Sequence, residues 1–458
     1  MEELIKCYLE DEEHSESSLE ELRALQPSYP GIIRILEPVL TGTDEKARGR
    51  ATLLLAELLN NSNESLNSNM IHLLIVFFTQ RLSDYPSVVP SLRALTILVT
   101  QQHKNIDSNT YKDLYLICST IFDNMNVQSY AQTIRHLIFE LLYAIITLFS
   151  ADNTLIYTYT DNIYDIIKGI LIAFEGEKDP RCLLISLKLI SLTISTFPTY
   201  ITIHSEHIYN SMIAYFPITF EPPPDDPWKI TPEDLTSKLT DCLIGHMSIL
   251  SYTLPYMIDQ LYTDEESIGK IHAINIIISS CQKYDPSILT QIKGQNSEQV
   301  VIIRMTQAVY DILFEHGELE VVNSIYILIH EITSIIRYTI YTKHIAIWQL
   351  FHSVLLDHIS VILNGQNYDS IKTKTALLVA NVISASSLLT AKPVFKTVVP
   401  AILISFKRIE LPLLTSVDDT LMRLASMTTL YNIILYVHIF YQYYIPLTLL
   451  SSTTYIHI

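Results

Sequence analysis

Apolar residues return at helical spacing along most of the chain. Between Ala47 and Leu59 they fall at Ala47, Ala51, Leu54, Leu55 and Leu58, which sets them on one face of a helix. Thr43 or Asp44 is placed to cap that helix, because a short side-chain oxygen accepts from the free N–H groups of a first turn. Pro86 predicts another helix start, where its missing N–H costs nothing, and that helix runs on through Leu92 and Leu95.

The turn-then-helix unit recurs. Units opening at Asp44, Asp84 and Asp123 start 40 and 39 residues apart, against the ~40–47 residues of HEAT and armadillo repeats. Each follows its acidic turn with arginine and then an apolar helix: Arg48 and Arg50, Arg93, Arg135. Further units open near Asp179, Asp264 and Asp369, at irregular intervals that leave room for insertions. A single helix pair cannot bury its apolar stripe, so neighbours stack and share a core. In such a stack the turn aspartate caps the second helix of a pair. The basic residue one turn later can then bridge to a neighbouring repeat's aspartate. The expected fold class is all-α, a HEAT/armadillo-type α-solenoid of stacked helical hairpins. The rival is an irregular helical domain without true repeats.

One tract breaks the pattern, from Tyr215 to Trp228. Five prolines in eleven residues exclude a helix interior, and three in a row favour an extended, polyproline-like path. Thr231 and Pro232 then restart a helix as cap and first residue. The tract reads either as a partner-contact loop or as a rigid crossover with its aromatics packed on the repeats. The candidate contact residues are Phe216, Pro217, Phe220, Pro222, Pro223, Pro224, Asp225, Asp226, Pro227 and Trp228.

The stretch from Leu430 to Ile458 carries no charged residue and five tyrosines between Tyr431 and Tyr444. It has the length of a bilayer span, but Asn432, His438 and Gln442 interrupt it and no basic cluster flanks it closely. The preferred reading is a shortened final repeat followed by an atypical terminus, since a solenoid ordinarily ends in a polar cap. The expected organisation is an acidic helical segment over 1–29, a HEAT-repeat domain over 30–290, further helical repeats over 291–410, and an atypical tail over 411–458.

Composition supports the helical reading. Only 10 residues are glycine, far below the ~7% of average usage, whereas sheet folds need glycine at turns and phosphate loops. Ile and Tyr are abundant and favour strands, but the periodicity outweighs them. The net charge of −18 disfavours direct nucleic-acid binding and favours basic protein partners. Nine acidic residues lie between Glu2 and Glu21, reading as a solvated helix pair or an acidic docking arm. The start Met1-Glu2-Glu3-Leu4 is no signal peptide. Cys7, Cys118, Cys182, Cys242 and Cys281 are scattered, which argues against a disulfide framework or metal ligand set and for a reducing compartment.

The chain lacks phosphate-binding glycine loops and the G-x-S-x-G elbow. His204 and His207 share a spacing without a third ligand nearby. His344, His352 and His358 do not follow H-E-x-x-H, and Ser334 stands where His330-Glu331 would need its second histidine. Asp225-Asp226 and Glu265-Glu266 read as adjacent surface charges. The expectation is a protein without catalytic residues, metal or cofactor.

Several tracts carry a resemblance. Gly176-Glu177-Lys178-Asp179-Pro180-Arg181 with Leu183-Leu184 is followed at a fitting distance by Tyr215-Phe216-Pro217-Ile218 and Pro222-Pro223-Pro224-Asp225-Asp226-Pro227. Upstream stand Arg81-Leu82-Ser83-Asp84, Val89-Pro90-Ser91-Leu92, Ala94-Leu95 and Val127-Gln128-Ser129. Over roughly residues 30–290 the chain resembles the N-terminal half of the MMS-nineteen family, HEAT-repeat adaptors of cytosolic iron–sulfur protein assembly. The resemblance implies a non-catalytic adaptor of the targeting complex. Its partners would be a WD40-propeller subunit, a small acidic-loop subunit, and iron–sulfur apo-proteins such as DNA helicases and polymerases of repair, replication and transcription. It implies work in cytoplasm and nucleus, with the cluster held elsewhere. Family members are longer, so the chain reads as a front half, a short form or a fragment. The alternatives are a generic HEAT scaffold or importin-like carrier of basic cargo, and a protein tethered to membrane by residues 430–458.

Overall fold

The computed structural model describes residues 1–402 and Tyr431, apart from 11–13, 26–27, 61–65, 102–109, 152–159, 223–226, 264–266, 294–299, 315–318, 342–344, 365–369 and 387–393. Its contacts form two compact units, Met1–Ile249 and Leu250–Ile458.

The first unit opens with the hairpin α1 (Glu2–Glu10) and α2 (Ser15–Ala24). Five helix pairs follow: α3 (Tyr29–Leu40) with α4 (Glu45–Asn60), α5 (Ser68–Arg81) with α6 (Val88–Gln101), α7 (Thr110–Asn124) with α8 (Gln132–Ala151), α9 (Thr160–Phe174) with α10 (Pro180–Thr196), and α11 (Pro198–Ile213) with α12 (Pro232–Leu243). The second helices pack in order, α4 on α6 on α8 on α10 on α12, while α5, α7, α9 and α11 form the facing row. This is an all-α, HEAT-type stack in two layers, and the core lies between the rows. Helix α8 shows why neighbours are required: Ile138, Phe139, Leu142, Ile145 and Phe149 are all buried. Burial of that kind, at about 1.5–3 kcal/mol per large side chain, is available only when flanking repeats close over both sides. Helix α8 is long and apolar enough to cross a membrane, yet here it packs between α6 and α10 as a core helix.

The turns explain the repeat. Asp44 Oδ1 accepts from the Ala47 amide at 3.1 Å, and Asp179 Oδ1 from the Arg181 and Cys182 amides at 3.0 and 3.4 Å. Thr231 and Asp234 cap each other's backbone reciprocally, with Pro232 at the first helical position. The second helices begin at Glu45, Val88, Gln132, Pro180 and Pro232, giving repeats of 43, 44, 48 and 52 residues. This corrects the 39-residue step read from Asp123. That aspartate lies in the last turn of α7, and the connection is Met125–Ala131, with a 3-10 turn at Val127–Ser129.

Helix α13 (Met247–Gln260) carries the division between units. In the second unit α14 (Ser267–Lys283), the short α15 (Pro286–Leu289), α16 (Val301–Phe314) and α17 (Leu319–Tyr341) come first. Helix α18 (Ile345–Phe351) passes through a π-helical turn at His352–Asp357 into α19 (His358–Asn364), and α20 (Ser370–Ser386) follows. Here α14, α17 and α20 pack in succession. Among the described residues extended pairing is limited to an isolated bridge between Lys293 and Val300. The expected unit starts at Asp264 and Asp369, the pair Glu265-Glu266, and the tail over 411–458 apart from Tyr431 lie outside the described residues.

Candidate functional site

The two tracts that carry the family resemblance meet at one edge of the first unit. The turn between α9 and α10 needs Gly176, whose φ of +82° is strained for any residue with a Cβ. That turn drops Glu177 inward to zero exposure. A buried carboxylate requires compensation. Arg135, on α8 of the preceding repeat, donates Nε to Oε2 and Nη2 to Oε1, both at 2.8 Å. The backbone amides of Lys178 and Asp179 donate to Oε1 at 2.9 Å. Gln128 reaches across to the Ala173 carbonyl at 2.7 Å, and Arg135 Nη1 donates to the Tyr130 carbonyl at 2.8 Å. The Glu177 bond holds the Arg135 guanidinium above its ordinary value, against burial, which pulls the other way.

The proline tract is tied to the same node. The Tyr215 hydroxyl donates to the Glu177 carbonyl at 3.0 Å, and its ring lies 5.1 Å from Phe174. Burial, with the Glu177 charge adding, pushes that hydroxyl up to about 12. Phe216, Pro217 and Phe220 are half-buried, the Phe216–Pro217 bond is cis, and Ile218 and Ile230 are buried. Pro222, Pro227 and Trp228 are exposed; Pro223, Pro224, Asp225 and Asp226 lie outside the described residues. Trp228, 54% exposed, rests its ring 5.7 Å from His136 and 5.9 Å from the Arg181 guanidinium. Arg181 is held by Asp179 at 3.0 Å. Burial alone would raise the Asp179 carboxyl, but Arg181 and the capped amides outweigh it and hold it low. The crossover therefore packs its aromatics on repeats three and four while leaving the indole partly open to solvent.

This arrangement positions backbone. The Glu177 oxygens are saturated with donors, and burial holds the nearby Cys182 thiol at about 12, protonated at neutral pH. The other residues singled out in the sequence do not converge. His207 pairs with Glu175 at 2.7 Å, while His204 packs against Tyr164. His352 faces Asp357 at 3.3 Å and His358 lies 4.7 Å from Tyr310; His344 is outside the described residues. Among the described residues no group of three or more His, Cys, Asp or Glu is placed to hold a metal ion. Sequence reasoning missed Glu177 as the buried acid. The glycine before it was the available signal, since a left-handed turn there is what turns the carboxylate inward.

The expected bridge between repeats is present in the first case. Arg48 donates Nη2 to Asp84 Oδ1 at 2.9 Å and Nε to Oδ2 at 3.2 Å. The Arg135 bridge reaches Glu177 rather than Asp179. Arg93 makes no such bridge among the described residues.

The family model described as "Dos2-interacting transcription regulator of RNA-Pol-II", MMS19_N, matches residues 33–296. An MMS19 nucleotide excision repair protein homolog of Dictyostelium discoideum is 27% identical over 254 residues, 55% of this chain and 22% of that protein. The DNA repair/transcription protein mms19 of Schizosaccharomyces pombe is 28% identical over 259 residues, 56% of this chain and 24% of that one. The Homo sapiens MMS19 homolog is 28% identical, over 55% of this chain and 23% of its own length. The shared stretch is thus under a quarter of each relative. Among solved structures, importin beta and Kap121p are each 11% identical with a TM-score of 0.36, covering 91% and 95% of this chain and 54% and 46% of their own. The matched residues contain the Arg135–Glu177 node and the whole proline tract, and the chain belongs to the MMS19 N-terminal family.

Proposed function

We propose that this chain is a non-catalytic adaptor of DNA repair and transcription. In that role it helps the cytosolic iron–sulfur targeting complex deliver clusters to apo-proteins, in cytoplasm and nucleus. The observation that carries the reading is the family match over 33–296, which takes in tracts that the fold wires together across three repeats. The relatives' names speak of nucleotide excision repair and transcription. The iron–sulfur part rests on the resemblance of the Gly176–Arg181 and Tyr215–Trp228 tracts to iron–sulfur assembly adaptors. A stack of helical hairpins offers long surfaces for protein contact and fits this work. The partners are a WD40-propeller subunit, a small acidic-loop subunit, and apo-forms of iron–sulfur helicases and polymerases.

Affinity purification of the tagged chain, alongside a longer form of the gene product, tests the proposal. The expected result is recovery of the propeller subunit and at least one iron–sulfur helicase. Recovery of basic localisation-signal cargo alone, in a salt-sensitive manner, would replace this reading with a carrier function.

A further inference from the structure

The facing row of the first unit carries an outer surface that the packing leaves open. In α5 the buried positions run Ile71, Leu74, Ile75, Phe78; in α7 Leu114, Ile117, Cys118, Ile121; in α9 Ile163, Ile166, Ile167, Ile170; in α11 Ile201, Ser205, Ile208. Two residues after the first of each set, in the same register, stand Leu73, Leu116, Asp165 and Ile203. The three aliphatics are 58%, 39% and 68% exposed, and Ile172, two turns beyond Asp165, is 53% exposed. Isolated exposed aliphatics are ordinary. Four on successive helices, three of them in one register, make an apolar stripe across four repeats.

The stripe is interrupted at its centre by a cleft of about 300 Å³ between α7 and α9. Gly169 lies in its lining and lets the Phe122 ring pack close, since a Cβ there would sit 2.2 Å from that ring. Its walls are Tyr115, Phe122 and Ile172, and its rim carries Asp123, Asp165 and Lys168. Asp123 and Asp165 are exposed and make no ion pair or hydrogen bond among the described residues, and they outnumber the single lysine. Two unengaged carboxylates beside aromatic rings suit a cationic side chain, which gains charge pairing at its head and ring contact along its stem. The net charge of −18 attracts the same partner from a distance.

We propose that this face docks a basic, aliphatic-flanked segment of a partner protein, its cation seated between Asp123 and Asp165 and its aliphatics along Leu73, Leu116, Ile172 and Ile203. The proposal names a surface for the adaptor reading and rests on it. The test uses the full chain and a fluorescein-labelled helical peptide of leucine, alanine and two arginines, read by anisotropy. The double variant Asp123→Asn, Asp165→Asn is expected to weaken binding about fivefold to tenfold, as loss of two exposed charge pairs should. Leu116→Ser with Ile203→Ser is expected to weaken it comparably. All four positions are exposed, and circular dichroism checks that each variant is folded. Equal binding of a peptide with glutamate in place of arginine, or no change in the Asn variant, overturns the proposal. A dimer of the chain that the same variant disperses in sedimentation also overturns it, by making a second copy the occupant. The adaptor reading fails separately, when the wild-type chain recovers no targeting subunit or apo-enzyme. If the Asn variant recovers the same clients as wild type, the surface fails and the adaptor reading stands.

Discussion

Arg135→Ala is the sharpest perturbation of the stack. The substitution removes two of the four short bonds to a carboxylate with no exposure, along with its counter-charge. Glu177 keeps the amides of Lys178 and Asp179, both at 2.9 Å, but these are neutral donors. Breaking a buried pair from one side costs about 3–5 kcal/mol. The Arg135 side chain is 15% exposed, so water reaches part of the gap and the lower end, about 3 kcal/mol, applies. At about 1.4 kcal/mol per factor of ten, the opening equilibrium of the turn should rise by roughly a hundredfold.

Amide hydrogen exchange reads this locally, which suits a repeat protein whose stability is close to a sum of neighbouring terms. The Lys178 and Asp179 amides should lose about two decades of protection, while amides of α14 in the second unit stay unchanged. The double change Arg135→Met, Glu177→Leu removes both charges at once and should cost clearly less than the two single changes added together. The reasoning is refuted if Arg135→Ala costs under about 1 kcal/mol, the range of an exposed pair.

Other outcomes follow from the same geometry. Asp84 is held below its ordinary value of 3.8, first by its bond to Arg48, against the opposing effect of burial. Its folded value being depressed, its contribution is present above pH about 4 and lost as pH falls through the lower folded value. Asp84→Asn should therefore flatten the acid limb of a pH-dependent thermal unfolding series; an unchanged limb refutes it. Burial pushes Cys118 and Cys281, like Cys182, up to about 12, and Cys242 is buried, leaving Cys7 half-buried. A thiol titration at pH 8 should count one rapidly reacting group in the folded chain and five in denaturant. Gly169→Ala forces a Cβ into the Phe122 ring and should destabilise by about 1–3 kcal/mol, with recovery on adding Phe122→Leu, measured by urea unfolding. Trp228→Ala removes one exposed cation–π contact and should cost no more than about 1 kcal/mol; a larger loss of thermal stability shows that the crossover is structural throughout.

Helices and caps were legible in the sequence because they depend on neighbours a few residues apart. The Ala47–Leu58 stripe, the Asp44 and Asp179 caps and the Thr231–Pro232 restart all have that local origin. The Arg48–Asp84 bridge is not local, but it needs only one repeat to stack on the next in constant register. The reading failed where register was not constant. Asp123 resembled the turn aspartates in its sequence surroundings, yet the α7 stripe through Leu114, Ile117, Cys118 and Ile121 is apolar enough to carry the helix past it. The third turn then had to be made by Val127–Ser129. The repeat that holds Glu177 is 48 residues long against 44 for the one before it, and its turn at Gly176 swings the glutamate inward. Burial of Glu177 is a property of two repeats and a crossover together: the turn supplies the acid, α8 the guanidinium and the proline tract the tyrosine cover. No window of one sequence contains all three. Glu177 and Tyr215 lie inside the two resembling tracts and Arg135 lies in neither, so a resemblance on those tracts registers two of the three pieces and leaves the counter-charge to be found in the fold.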